Sequence, residues 1–402
     1  MKLFQKLLLT PAVLGFLTPI AANASEASLM DVSNYSQVDV EVTQDTFKPL
    51  SSKNPLLAGG EGLNHSHSND FDGDSFSSTT SAAFYSNFLI GATDRATDDK
   101  TNFVHDYGVE ITSTLNGTDA LVVGLESGSN APQTDFDIAN TKDTKDVTGL
   151  VFNQLSYTRQ LGDRVTVFIG HQGTPGSLLY TSACAYAGQT DVLDDCGIRS
   201  TNLDEELGAS FGASFDIIDG LTAAFGYEGE GGETAKGLMT KETTDAFGAQ
   251  IAYTGDNYGI ALAFASIENH DASAGNGIDT DRGVTTSSAF SAYYSPDLEN
   301  FPSVSVGFES THDDSAAADD DKTSNYFVGL QWDEIGNGSL GASFGSKAPE
   351  KENQDPEKMY EVFYAYNYAD GITITPIVFV KENASATVND ETGIFLKTSF
   401  SF

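Results

Sequence analysis

Cys184 and Cys196 are the only thiols in 402 residues, and they sit in one acidic stretch. Asp191, Asp194, Asp195, Asp204 and Glu205 lie between and just beyond them, with Arg199 as the one base of residues 172–205. Two kinds of chemistry are available to this set. The thiols can close a 13-residue ring, and the carboxylates can favour cations over anions nearby. Catalysis is not suggested. His65, His67, His105, His171, His270 and His312 fit no H-E-x-x-H spacing and no phosphate-cradling loop occurs, while the two G-A-S-F-G runs at 208–212 and 341–345 fall inside period-two alternation and not at a strand-to-helix elbow. No catalytic residue and no enzyme is expected. Two cysteines cannot build a zinc–cysteine module. His65 and His67 precede Asp70, Asp72 and Asp74, and Asp313, Asp314, Asp319, Asp320 and Asp321 crowd a second segment. Both read as solvated polar tracts, so no metal and no cofactor is expected.

Composition limits what could carry these residues. The chain has 58 Asp+Glu against 20 Lys+Arg, a net charge of −38, which argues against a nucleic-acid partner. No apolar run beyond the N-terminus is long enough for a helical membrane span. The 26 Phe and 16 Tyr offer more burial than a disordered chain has. Abundant Gly, Ser, Thr and aromatics favour strands over helices. The expectation is a large exported β-protein.

Three segments are expected. Residues 1–24 read as a signal peptide: Lys2 and Lys6, an apolar stretch from Leu7 to Ile20 broken by Pro11 and Pro19, then Ala22-Asn23-Ala24. Export is the condition under which a Cys184–Cys196 disulfide persists. It would stabilise by about 3 kcal/mol in the chain-entropy model. Residues 25–75 are polar, acidic and without regular pattern, and read as a flexible N-terminal segment. Residues 76–402 alternate with period two. Tyr258, Ile260, Leu262 and Phe264 alternate with Gly259, Ala261 and Ala263; Val304, Val306 and Phe308 alternate with Ser303, Ser305 and Gly307. One face is bulky and apolar, the other small or polar.

A soluble sandwich also alternates, with its apolar face inward. Two features favour a closed membrane barrel. The small face is Gly, Ser, Thr and Ala rather than charged, and the connections alternate between short and long. Sixteen candidate strands run from 77–91 to 391–402. Short links such as Asn116-Gly117-Thr118-Asp119 carry tight-turn chemistry. Long links at 92–102, 127–149, 172–205, 229–243, 269–284, 311–322, 347–357 and 382–390 fall between them. Closure follows because no backbone group can face lipid unpaired. Ile394, Leu396, Phe400 and the terminal Phe402 share one face of the last strand. Phe402 reads as a C-terminal insertion signal. The fold expected is all-β: a transmembrane antiparallel barrel of sixteen strands, with 172–205 as its third long loop.

Residues 1–26, MKLFQKLLLTPAVLGFLTPIAANASE, resemble the leader of the cyanobacterial outer-membrane porin family, especially its marine members. Residues 58–84, AGGEGLNHSHSNDFDGDSFSSTTSAAF, resemble that family's His-containing linker and the start of its barrel. A surface-layer-homology module, which many members carry before the barrel, is not recognisable here. The resemblance implies an outer-membrane channel for passive diffusion of small hydrophilic solutes, homotrimeric, set in outer-membrane lipid and inserted by the barrel assembly machinery. It also implies that the third loop folds inward and forms the constriction. On that reading Asp191, Asp194, Asp195, Arg199, Asp204 and Glu205 line the constriction. Inward parity makes Glu110, Arg164, Glu206, Glu228, Glu309 and Lys397 candidates for the lumen wall. Acids outnumber bases in both groups, so a weak cation preference is expected. The alternatives are a channel biased toward phosphate, a metal ion or a sugar, and an acidic surface β-protein or adhesin.

Overall fold

The computed structural model describes residues 79–94, 99–129, 150–171, 183–190, 192–198, 201, 207–240, 242–271, 280–298, 300–314, 321–347, 356–383 and 389–401. The expected signal peptide and flexible segment lie outside the described residues, as do Asp191, Arg199, Asp204, Glu205, Glu206 and Phe402.

Sixteen strands form among the described residues: β1 (Thr80–Asp94), β2 (Asp99–Ser113), β3 (Asp119–Gly128), β4 (Val151–Leu161), β5 (Val165–His171), β6 (Ala209–Ile218), β7 (Leu221–Gly229) and β8 (Asp245–Thr254). They continue as β9 (Tyr258–Asp271), β10 (Thr280–Tyr294), β11 (Ser303–Asp313), β12 (Lys322–Trp332), β13 (Gly338–Lys347), β14 (Glu357–Ala369), β15 (Ile372–Lys381) and β16 (Glu391–Ser401). Each pairs antiparallel with its sequence neighbours. β1 and β16 close the ring, in register from Tyr85↔Ser401 to Asp94↔Thr392. All sixteen expected strands are present, with ends displaced by a few residues. The ring has no free edge, which removes the unpaired backbone groups that an open sheet would expose.

Alternate residues of a strand point to opposite faces. Here the bulky face points out: Phe84, Ile90, Phe103, Ile169, Leu262, Phe264 and Phe308 are exposed, Phe103 and Ile169 by more than 60%. A sandwich would bury that face, so the ring has the opposite polarity to the soluble alternative. Tyrosines cluster toward the strand ends. Tyr253, Tyr258, Tyr294, Tyr366 and Tyr368 are exposed near the short turns, and Tyr360 near the long loops. Tyr227 shares the outward parity but is buried. Its hydroxyl donates to Asp245, which also accepts the Met239 amide from the β7–β8 loop at 3.2 Å. That loop folds over the outer wall at this point.

Turn chemistry shows at the short end. After β2, Asp119 Oδ1 accepts from Thr114 Oγ1 at 2.9 Å and from the Leu115 and Asn116 amides at 2.9 and 3.0 Å. Tyr157 hydroxyl donates to the other oxygen at 2.8 Å. Gly117 supplies the left-handed conformation (φ 81°) that the turn needs. No helix among the described residues is long and apolar enough to cross a membrane, which says nothing of spans made by strands.

Candidate functional site: the third loop inside the barrel

Residues 183–190 and 192–198 of the β5–β6 connection lie against the inner wall. Ala183 packs on Ala252 of β8 and Ala261 of β9. The Ala185 amide donates to Ser305 Oγ on β11 at 2.9 Å, and the Ala187 amide to Gln331 Oε1 on β12 at 2.8 Å. Tyr186 hydroxyl and the Gln189 amide both donate to Glu361 Oε1 on β14, at 2.8 and 3.1 Å. The chain then turns back. Leu193 covers Gly345 on β13, Cys196 covers Gly307 on β11, and the Asn325 side-chain amide on β12 donates to the Gly197 carbonyl. Thr201 donates its amide and hydroxyl to Glu309 Oε1 on β11, at 3.0 and 3.2 Å. From β5 the ring passes seven strands before reaching β13, halfway round the sixteen, so the loop reaches the wall opposite its own root.

The small inward residues explain how it fits. A Cβ at Gly307 would collide with the Cys196 carbonyl oxygen, and one at Gly345 would come within 2.7 Å of Leu193 Cδ2. At Gly329 a Cβ would meet Phe327 and Tyr186. Glycine lets backbone pass close to backbone where any side chain would hold it off.

The loop also carries its own apolar face. Tyr186, Val192, Leu193 and Cys196 join Phe327, Met359, Phe363, Ile377, Phe379, Phe395, Leu89 and Val104 in one buried cluster. A core therefore forms inside the ring, over β12, β14, β15, β16, β1 and β2. Burying each large side chain of this kind stabilises by about 1.5–3 kcal/mol. These inward apolar residues were not singled out in the sequence. A signal existed: Phe88-Leu89-Ile90, Ile377-Val378-Phe379-Val380 and Ile394-Phe395-Leu396 are apolar at consecutive positions. Strands buried on both faces read that way.

Cys184 and Cys196 form the disulfide, with Cα atoms 5.8 Å apart. It closes the tip, where Asp195 (φ 46°), Cys196 (φ 58°) and Gly197 (φ 68°) are left-handed in succession. For the two non-glycine residues this costs roughly 1–2 kcal/mol each, which the bridge and the wall contacts must offset. Asp195 is exposed and Asp194 half-buried, and the Asp195 amide donates to Asp194 Oδ1 at 2.9 Å. Burial first, and the Glu361 charge second, push the Tyr186 phenol well above its ordinary value. It therefore remains a protonated donor.

The expected wall residues divide. Glu110 on β2 points inward and is exposed, and accepts from Thr112 Oγ1 at 3.2 Å. Lys397 on β16 shares the inward parity of Phe395 and is half-buried. Glu228 and Glu309 point inward but are only 2% exposed. Glu309 lies under the loop, where Thr201 covers it, instead of facing an open lumen. Arg164 differs from expectation. β5 begins one residue later, so Arg164 sits in the short β4–β5 turn, where Nη1 donates to the Ile217 carbonyl at 3.3 Å. The reason is local: Leu161 still pairs with Val165, so the turn is Gly162-Asp163-Arg164, with Gly162 left-handed (φ 67°). Glu361 is 1% exposed and was missed. It alternates with Met359 and Phe363 in a segment whose two faces are both apolar, which hides its parity.

Among the described residues no group of three or more His, Cys, Asp and Glu is placed to hold a metal ion. His312 instead pairs through different ring nitrogens with Asp314 at 2.9 Å and Asp321 at 3.2 Å.

No family model matches the sequence, and no curated protein matches it. Solved structures do resemble the fold. OprB of Pseudomonas putida aligns over 81% of this chain and 94% of its own, with TM-score 0.59 and 11% identity. OmpF of Salmonella typhi aligns over 80% and 97%, with TM-score 0.56 and 14% identity. The anion-selective porin from Comamonas acidovorans aligns over 80% and 100%, with TM-score 0.55 and 16% identity. At these identities the likeness is one of fold: a sixteen-strand porin-type barrel.

Proposed function

We propose that this chain is an outer-membrane porin, a passive channel for small hydrophilic solutes and ions. The observation that carries the reading is a closed ring with its bulky apolar face outward and a disulfide-closed loop docked on its inner wall. Such a ring satisfies its backbone internally and presents lipid with side chains alone. A loop docked on the inner wall narrows the lumen, which is what sieving by size requires. On this reading the long loops face outside and the short turns face the periplasm. Residues 1–24 direct export and are removed, the barrel assembly machinery inserts the mature chain, and the working form is a homotrimer. Residues 1–26 and 58–78, which support a cyanobacterial type of porin by resemblance, lie outside the described residues.

The proposed constriction has Asp194 and Asp195 on the loop, with Asp191, Arg199, Asp204 and Glu205 as its further members. Glu110 and Lys397 lie on the wall beyond it. Carboxylates exceed bases, and the reading is a weakly cation-preferring pore. One related fold is named as anion-selective, so the sign is set by residues and not by architecture. Swelling of liposomes loaded with the refolded protein tests the function. Uptake that falls steadily with increasing sugar size is expected; no uptake of even the smallest sugar would contradict it.

A further inference from the structure

Four of the wall groups that meet the third loop are acceptors for its hydrogen atoms: Ser305, Gln331, Glu361 and Glu309. Two of the four are carboxylates, and both are almost wholly buried. Glu361 Oε1 takes a phenol and a backbone amide. Its Oε2 is buried without a hydrogen-bond partner, as are Thr190 Oγ1 on the loop and Ser343 Oγ on β13. Ser343 stands directly across from Glu361 in the β13–β14 register. A carboxylate that sorted passing ions would keep its free oxygen in the aqueous path, hydrated. This one is sealed beneath Tyr186, Gln189 and the apolar cluster. Glu309 is also buried, and one of its oxygens holds both the amide and the hydroxyl of Thr201.

We propose that Glu361 and Glu309 are positioning residues: they fix the constriction loop as hydrogen-bond acceptors and contribute little as charges to solute selection. The proposal rests on the porin reading. It changes which acids matter, because two inward carboxylates then drop out of the selectivity account while Asp194 and Asp195 stay in it. It also separates charge from acceptor strength in a testable way. A glutamine at 361 keeps an oxygen for Tyr186 and Gln189, and its amide can donate to Thr190 Oγ1 and Ser343 Oγ. An alanine keeps neither.

The test is single-channel recording of full-length mature variants in planar bilayers under a salt gradient. Glu361→Gln and Glu309→Gln are expected to keep the wild-type conductance and reversal potential. Glu361→Ala strands two buried donors, and is expected to raise the undocked fraction of the loop roughly 5- to 150-fold, read as open-channel noise and extra conductance levels. Tyr186→Phe removes one donor and no charge, and is expected to raise noise without moving the reversal potential. A reversal potential shifted by Glu361→Gln as far as by neutralising Asp194 and Asp195 would overturn the proposal. So would wild-type quietness in Glu361→Ala. Should Glu361→Ala fail to insert, quiet currents from both Tyr186→Phe and Glu309→Ala overturn it instead. Absence of open steps from the wild-type protein would count against the channel reading itself.

Discussion

Asp195 and Glu361 carry the same functional group, and on the porin reading their different surroundings give them different work. Asp195 is exposed at the tip of a ring closed by the disulfide. Glu361 is covered by a tyrosine and a backbone amide. Exposed charge acts on passing ions over about a Debye length, ~8 Å at physiological salt. Buried charge under a loop acts on the loop. Replacing Asp194 and Asp195 together by asparagine should therefore move the reversal potential under a salt gradient toward zero selectivity while leaving the barrel folded. An unmoved potential would remove both from the filter. The sequence pointed to these two through their place beside the cysteines. It could not show that Glu309 on the wall is covered by the loop, because inward parity says which face a residue is on and nothing of what lies across the lumen from it.

At the scale of elements, the strands were legible and the docking of the loop was legible only by resemblance. Period-two runs such as Tyr258 to Phe264 fix both strand and face, because a one-residue slip would put Phe264 in the lumen. Arg164 shows where this fails: at a turn one residue decides between wall and rim. The loop's path depends on small residues, Gly307, Gly329 and Gly345, whose spacing in sequence reveals no shared partner. Their role yields a prediction. Gly307→Val adds a branched side chain where the Cys196 carbonyl lies, and should push the loop tip off the wall. The barrel should still form, since β11 keeps its ladder to β10 and β12. Expected outcomes are a changed single-channel conductance and faster reduction of the Cys184–Cys196 bridge by an added thiol. Conductance and reduction rate both at wild-type values would show that the tip does not rest on β11.

For the whole molecule, closure is the controlling fact. Sixteen strands paired without an edge give a hydrogen-bonded ring that must open cooperatively. The unheated protein in dodecyl sulfate should therefore run as a compact species distinct from the boiled chain; identical mobilities would argue against a closed ring. On the porin reading the apolar outer band answers to lipid. The channel claim itself is tested most directly by recording currents from the refolded mature protein in a planar bilayer under a salt gradient. The account predicts discrete open steps whose reversal potential lies on the cation side. Protein shown to be folded that produces no steps would contradict it.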